Sequence, residues 1–251
     1  MSNFWFWELF LRFFIIRKCG SCKEILKFEE RNEPLCQSCA LAIRVAKTES
    51  CPDCFKSVSE CTCMPRGLEK TGALCLRKLY FYYPEKHSCP QNRFLLNMKR
   101  EPIKRSADFV AREISDIIGN ELSKLDISIE DTVIVSVPRS RHSRSFFGFD
   151  QSEIVSARLS LITSIPYHPV IKRRRRATEQ KKLDRTKRFR NAGSLFRLTD
   201  PLVVERKYVI LYDDVVTTGA SMAACVELLR KAGVSGVFCV SMAQVPDKSI
   251  K

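Results

Sequence analysis

At 251 residues the chain can hold one large domain or a main domain with a small appendage, and 45% hydrophobic with 28% charged residues is the composition of a folded protein, not a disordered one. A net charge of +15 favours polyanionic partners (nucleic acid, phosphorylated metabolites or anionic lipid) without choosing among them. The segment Lys172–Arg190 alone has eleven Lys and Arg against Glu179 and Asp184, a local excess of +9.

Phe4–Ile16 is almost wholly apolar, interrupted by Glu8 and Arg12. As a helix it reaches about 20 Å, short of a bilayer core of about 30 Å, so no transmembrane segment is expected. No basic region precedes it and no small-residue cleavage site follows it, which argues against a secretory signal and for a cytoplasmic protein. Residues 1–18 read as an apolar helix packed on the rest of the chain, or as a weak interfacial membrane contact.

Residues 19–64 form the next unit. Cys19-x-x-Cys22 and Cys36-x-x-Cys39 stand thirteen residues apart, and each pair can place two thiolates on one knuckle of a tetrahedral zinc site. Cys51-x-x-Cys54 with Cys61-x-Cys63 forms a second, tighter set. Two structural zinc ions are therefore expected, in a segment too small for a core of its own. With no export signal ahead of them, the cysteines read as metal ligands rather than disulfides. Met64–Gly72 reads as a linker, with Pro65, Gly67 and Gly72 as breakers.

From residue 73 to 251 strands and helices alternate. Strands are expected at Leu79–Tyr83, Thr132–Val137, Tyr208–Leu211 and Val237–Val240. Helices are expected over 91–100, 106–118, 150–161 and 220–232, with Gly233 as a C-cap glycine. The basic segment 172–191 has no clean period and reads as a loop or hairpin. Alternating apolar strands and helices imply an α/β fold with a mainly parallel sheet covered on both faces.

The run Val209–Ser221 concentrates the chemistry. An apolar strand leads into Asp213 and Asp214, then into Thr217, Thr218, Gly219, Ala220 and Ser221 at the start of a helix. Consecutive N–H groups at a helix N-terminus suit a phosphate, and the hydroxyls add donors. The carboxylates can accept hydrogen bonds from a ribose diol or help hold a hydrated Mg²⁺. Together these describe a site for a ribose 5-phosphate.

Over these thirteen residues the chain resembles the type I phosphoribosyltransferases at their 5-phosphoribosyl-1-pyrophosphate (PRPP) motif. Combined with the cysteine knuckles it is similar to the ComF family, which joins a cysteine-rich zinc module to a phosphoribosyltransferase domain and is linked to DNA uptake in competence. Val137-Pro138-Arg139, Gly148-Phe149-Asp150-Gln151 and the series from Arg176 to Phe196 also match. Relatives usually have Arg and Asn where this chain has Phe147 and Asp150.

The resemblance implies a type I phosphoribosyltransferase-like fold, PRPP bound with Mg²⁺, a pyrophosphate loop at Val137–Ser140 with Arg139 as its nearest cation, and Arg141 and Arg144 close by. It also implies a partnership with single-stranded DNA and with a DNA-uptake helicase or processing protein. Lys181, Lys182, Arg185 and Arg188 then belong to a lid over the leaving group, to a nucleic-acid contact, or to a solvated surface. Three functions fit this sequence: a competence protein that binds PRPP and single-stranded DNA, an Mg²⁺-dependent phosphoribosyltransferase acting on a base or amine, and a non-catalytic zinc scaffold.

Overall fold

The computed structural model describes residues 16–174 and 195–246, without the side chains of 141–143. The apolar segment before Ile16 and the basic residues Lys181, Lys182, Arg185 and Arg188 lie outside the described residues.

Four strands build the main sheet: β1 (Cys75–Phe81), β2 (Thr132–Ser136), β5 (Tyr208–Val216) and β6 (Gly236–Gln244). Their order is β1-β6-β5-β2 and every pairing is parallel. Side chains alternate between two faces, as the pleat requires. Ile134, Ile210, Tyr212, Phe238 and Val240 enter one apolar cluster, and Val133, Val135, Val209, Leu211, Val237 and Cys239 enter the other.

The first face is covered by α4 (Lys104–Lys124) and α6 (Gln151–Thr163), the second by α7 (Ala220–Lys231). The antiparallel pair β3 (Ile171–Arg173) and β4 (Phe196–Leu198) joins the second cluster through Ile171 and Phe196. Its last described link is Arg174 N–H to the Leu195 carbonyl at 2.6 Å. The expected α/β class, with a parallel sheet flanked by helices and an N-terminal cysteine module, is what the structure has.

Several elements differ from the sequence expectation. β1 begins at Cys75 rather than Leu79, because Arg77 and Lys78 are buried within the strand instead of preceding it. β5 runs on to Val216, since Asp213, Val215 and Val216 keep pairing with Ser241, Ala243 and Gln244 of β6. Two helices were not expected: α1 (Gln37–Ala46) inside the cysteine module, and α5 (Arg141–Phe147) after the β2 loop.

The stretch expected as a linker contains α2 (Arg66–Glu69), whose Leu68 is buried in the α7-side cluster. Arg230 of α7 donates to the Thr71 carbonyl at 2.6 Å, fixing its end. The remaining helix, α3 (Pro90–Arg100), starts with Pro at its first position and buries Phe94, Leu95 and Met98.

Candidate functional site

The site is assembled at the carboxyl ends of β5 and β2, where ligands sit in open α/β sheets. Because Asp213 and Asp214 are still within the strand, consecutive side chains leave on opposite faces. Asp214 faces α3, and its Oδ2 pairs with Lys99 Nζ at 3.2 Å. Its Oδ1 accepts the Val215 N–H at 2.7 Å. Asp213 faces the α7 side, within electrostatic reach of Arg173, Cys225 and Cys239. Its Oδ1 accepts the Asp214 N–H at 2.9 Å. Removal from water and the Asp214 charge push the Asp213 carboxyl well above the ordinary carboxylate value, with Lys99 acting the other way. The two acids are neighbours in sequence but straddle the strand.

The turn Thr217–Ser221 follows directly. Gly219 has φ 72° and stands at the N-cap of α7, a left-handed conformation that glycine adopts without strain. A side chain there would also press on Pro65 and Leu68 of α2, its Cβ lying 3.2 Å from Pro65 and 3.4 Å from Leu68. The glycine therefore serves close packing against the cysteine-module exit as well as the turn. Thr217 is exposed, and Thr218, Ala220 and Ser221 are half-buried, so the hydroxyls of the turn remain near its surface. Thr218 Oγ1 is 3.4 Å from the Ala220 N–H.

The loop after β2 is held by Asp150. Its Oδ2 accepts the Arg139 N–H at 2.8 Å, and its Oδ1 accepts the Ser152 N–H at 3.0 Å as the N-cap of α6. The carboxyl is pushed up by burial, partly offset by these hydrogen bonds. Asp150 thus joins the Val137–Ser140 loop to the next helix. Arg139's guanidinium lies 4.8 Å from the centre of the Phe147 ring, and its Nη1 reaches the Lys99 carbonyl at 3.5 Å. Arg144 makes a two-pronged pair with Glu153 at 3.0 Å, so it is already engaged within the helical layer. Arg141 falls in the first turn of α5.

Arg139 and Asp214 both meet Lys99, Arg139 at its carbonyl and Asp214 at its ammonium. Lys99 and Arg173 were not singled out as partners of the two acids from the sequence, because the Lys99–Asp214 ion pair and the approach of Arg173 to within electrostatic reach of Asp213 depend on the packing of distant segments. Arg173 lies on β3 at the root of the basic segment, over Phe196 at 5.3 Å, and burial holds its guanidinium below its ordinary value. Tyr80 and Tyr212 are fully buried on the Asp214 side, and their hydroxyls have no hydrogen-bond partner among the described residues.

Both cysteine sets are gathered. Within Cys19, Cys22, Cys36 and Cys39, and within Cys51, Cys54, Cys61 and Cys63, all sulfur atoms lie within 4.8 Å of one another. The Cys22–Cys36 sulfur separation is 3.8 Å, and a tetrahedron with metal–sulfur bonds of about 2.3 Å calls for sulfurs about 3.8 Å apart. Backbone N–H groups of Ser21 and Cys36 point at Cys19 Sγ at 3.4 and 3.3 Å, as a thiolate cluster needs. In the second set burial raises the Cys61 thiol, but the Lys78 ammonium and nearby N–H and S–H groups bring it down to about 7. Both sets fit structural zinc. No helix among the described residues is long and apolar enough to cross a membrane.

No protein-family profile matches the chain. It is 37% identical over 107 residues to the DNA utilization protein YhgH of Escherichia coli K12, covering 41% of this chain and 45% of that protein. Over 108 residues it is 32% identical to Competence protein F of Haemophilus influenzae, covering 41% of this chain and 46% of that protein. The resemblance to ComF proteins is thus borne out by curated relatives, although the chain spans about half the length of those it matches.

Among solved structures, the glutamine PRPP amidotransferase of Bacillus subtilis is 22% identical, with a TM-score of 0.32, over 43% of this chain and 22% of that one. A hypoxanthine phosphoribosyltransferase of Staphylococcus aureus is 15% identical, with a TM-score of 0.31, over 56% and 75%.

Proposed function

We propose that the chain binds a ribose 5-phosphate group, with PRPP as the fitting ligand, and that it works on single-stranded DNA during DNA uptake. The observation that carries the ligand reading is the continuous passage from β5 through Asp213 and Asp214 into the Gly219 turn at the N-terminus of α7. In this reading the turn Thr217–Ser221 holds the 5-phosphate through N–H groups and hydroxyls. The acids receive the ribose hydroxyls, and Arg139 supplies the cation nearest the pyrophosphate.

Mg²⁺ bound with the ligand would neutralise pyrophosphate charge, and Asp213 and Asp214 are the residues to help hold it. The acids, the turn and Arg139 belong to different elements, so their work is positioning and charge stabilisation.

The DNA part is supported by the names of the relatives, a DNA utilization protein and a competence protein. The +9 segment Lys172–Arg190 adds to it, because it begins on β3, whose Arg173 is within electrostatic reach of Asp213. A cytoplasmic place of action, a DNA-uptake helicase or processing partner, and the division into 19–64 and 73–251 belong to the same proposal.

Calorimetric titration of PRPP with Mg²⁺ tests the ligand reading. Intact protein should release heat on binding and the Asp213→Asn/Asp214→Asn variant should not; absence of heat with intact protein would sink the reading. For DNA, affinity for a single strand should fall steeply with salt, and neutralising Lys181, Lys182, Arg185 and Arg188 should flatten that slope. A salt-independent affinity would remove the nucleic-acid role.

A further inference from the structure

We propose that Lys99 is a positioning residue that holds Asp214 and admits a divalent cation only when an anionic ligand arrives with it. The proposal rests on the ribose-phosphate reading for the identity of that ligand, not for the behaviour of the lysine.

Both oxygens of Asp214 are already engaged. Oδ1 takes the Val215 N–H at 2.7 Å, and Oδ2 takes the Lys99 ammonium at 3.2 Å. The pair is largely enclosed, with the two side chains 27% and 15% exposed, so its attraction is less screened than that of a surface pair. A bare dication approaching Asp214 must displace the ammonium and then tolerate it nearby. A cation chelated by an oligophosphate brings negative charge that can receive the ammonium as it leaves. Lys99 would then pass from Asp214 to the ligand, and the site would discriminate between the free ion and its complex.

The backbone of Lys99 is fixed where this exchange needs an anchor. Two residues earlier, Asn97 Nδ2 donates to the carbonyls of Gly20 and Ser21 in the first cysteine knuckle, both at 2.9 Å. At the other end of α3, Ser21 Oγ donates to the Pro90 carbonyl at 2.8 Å. Just past the helix, Glu101 pairs with Lys23 at 2.8 Å. The Lys99 carbonyl itself receives Arg139 at 3.5 Å. The main chain is held from both sides, while the four-carbon side chain can swing between Asp214 and a ligand. α3 thus links the first knuckle, through Asn97, to the β2 loop and Asp214, through Lys99.

The test uses Mn²⁺ as the probe, followed by electron paramagnetic resonance, with the full zinc-loaded protein and no ribose phosphate present. Intact protein should bind Mn²⁺ weakly. Lys99→Met should bind it at least tenfold more tightly, Lys99→Arg should behave like the intact protein, and Lys99→Met/Asp214→Asn should lose the gain. A purely structural lysine would not give tighter metal binding on removal or restoration by arginine.

Lys99→Gln serves as a second neutral variant, with zinc content and circular dichroism reporting its folding. An unchanged Mn²⁺ affinity in the neutral variants would overturn the proposal. Unfolding of both would overturn it too, since Asp214 must be able to stand without its ammonium. Failure of PRPP to bind intact protein, beside the expected Mn²⁺ pattern, would reject the functional reading and leave the role of Lys99 intact.

Discussion

The two cysteine clusters share a ligand set but are fastened to the molecule in different ways. The first is embedded in apolar packing: Cys19, Leu26, Leu35, Cys39 and Ile43 belong to the same buried cluster as Tyr80, Phe94 and Ile210 of the main domain. The second contributes only Cys51, Val58 and Cys61 to a small cluster with Phe81. Its main attachments are charged groups from β1. Lys78 Nζ donates to the Cys63 carbonyl at 2.9 Å, and Arg77 donates to the carbonyls of Ser59 and Glu60. A small module can thus be fixed by sharing a core or by lending buried cations to its carbonyls, and the consequences of losing metal should differ.

The largest effect is expected on removing a ligand from the first site. Cys39→Ser should reduce zinc from two per chain to one. Denaturant unfolding should show a loss of at least about 3 kcal/mol, because a structural metal contributes folding free energy directly. Cys61→Ser should give the same zinc count with a smaller loss of stability. Equal losses at the two sites would break the comparison.

Next in size is Lys78→Met. The side chain is 1% exposed, and the substitution leaves the Cys63 carbonyl without its donor. A hydrogen bond to a charged group is worth about 1.5–3 kcal/mol, and a loss of that order is expected. Chelator competition should release zinc from the second site first. Release from the first would contradict the assignment of Lys78 to the second cluster.

Asn97→Ala should cost less, about 1–2 kcal/mol for two neutral hydrogen bonds, and should leave both zinc ions in place. It tests whether the amide tie of α3 to Gly20 and Ser21 adds to the apolar packing of the first knuckle. A melting curve identical to that of the intact protein would show that the amide tie adds nothing to the packing around Phe94.

How much of this was legible in the sequence follows from how local each signal is. The Cys-x-x-Cys spacings and the strand–acid–turn–helix order of Val209–Ser221 are local, and the structure gathers the cysteines and forms the elements accordingly. α1 carried a usable signal in Cys39, Ile43 and Ala46, all buried at helical spacing, but Cys39 was counted only as a ligand. α5 offered none, since Arg141–Phe147 has no apolar period.

The β1 boundary was misplaced for the reason that makes the second knuckle distinctive. Arg77 and Lys78 look like surface residues until the cysteine-module carbonyls that receive them are in place. The opposite facing of Asp213 and Asp214 could have been foreseen only by knowing that β5 continues past Tyr212. The pairing of Asp214 with Lys99 spans more than a hundred residues and has no local signature.

The smallest expected effect concerns the loop that brings Arg139 to the site, and it separates the apolar and polar contributions at its hinge. Asp150 is buried and its carboxyl is raised above the ordinary carboxylate value, chiefly by desolvation. The folded protein therefore holds this proton more tightly than the unfolded chain does. The resulting stabilisation is complete below the unfolded value near 4 and disappears as pH rises through the folded value.

Asp150→Asn removes this dependence, and it also gives up one of the two acceptors used by Arg139 and Ser152. The advantage of the intact protein over the variant should be greatest near pH 4 and should narrow toward pH 7. Urea unfolding at several pH values measures it. A gap that widens with pH would mean that the charged carboxylate, through its two N–H donors, outweighs the cost of its burial.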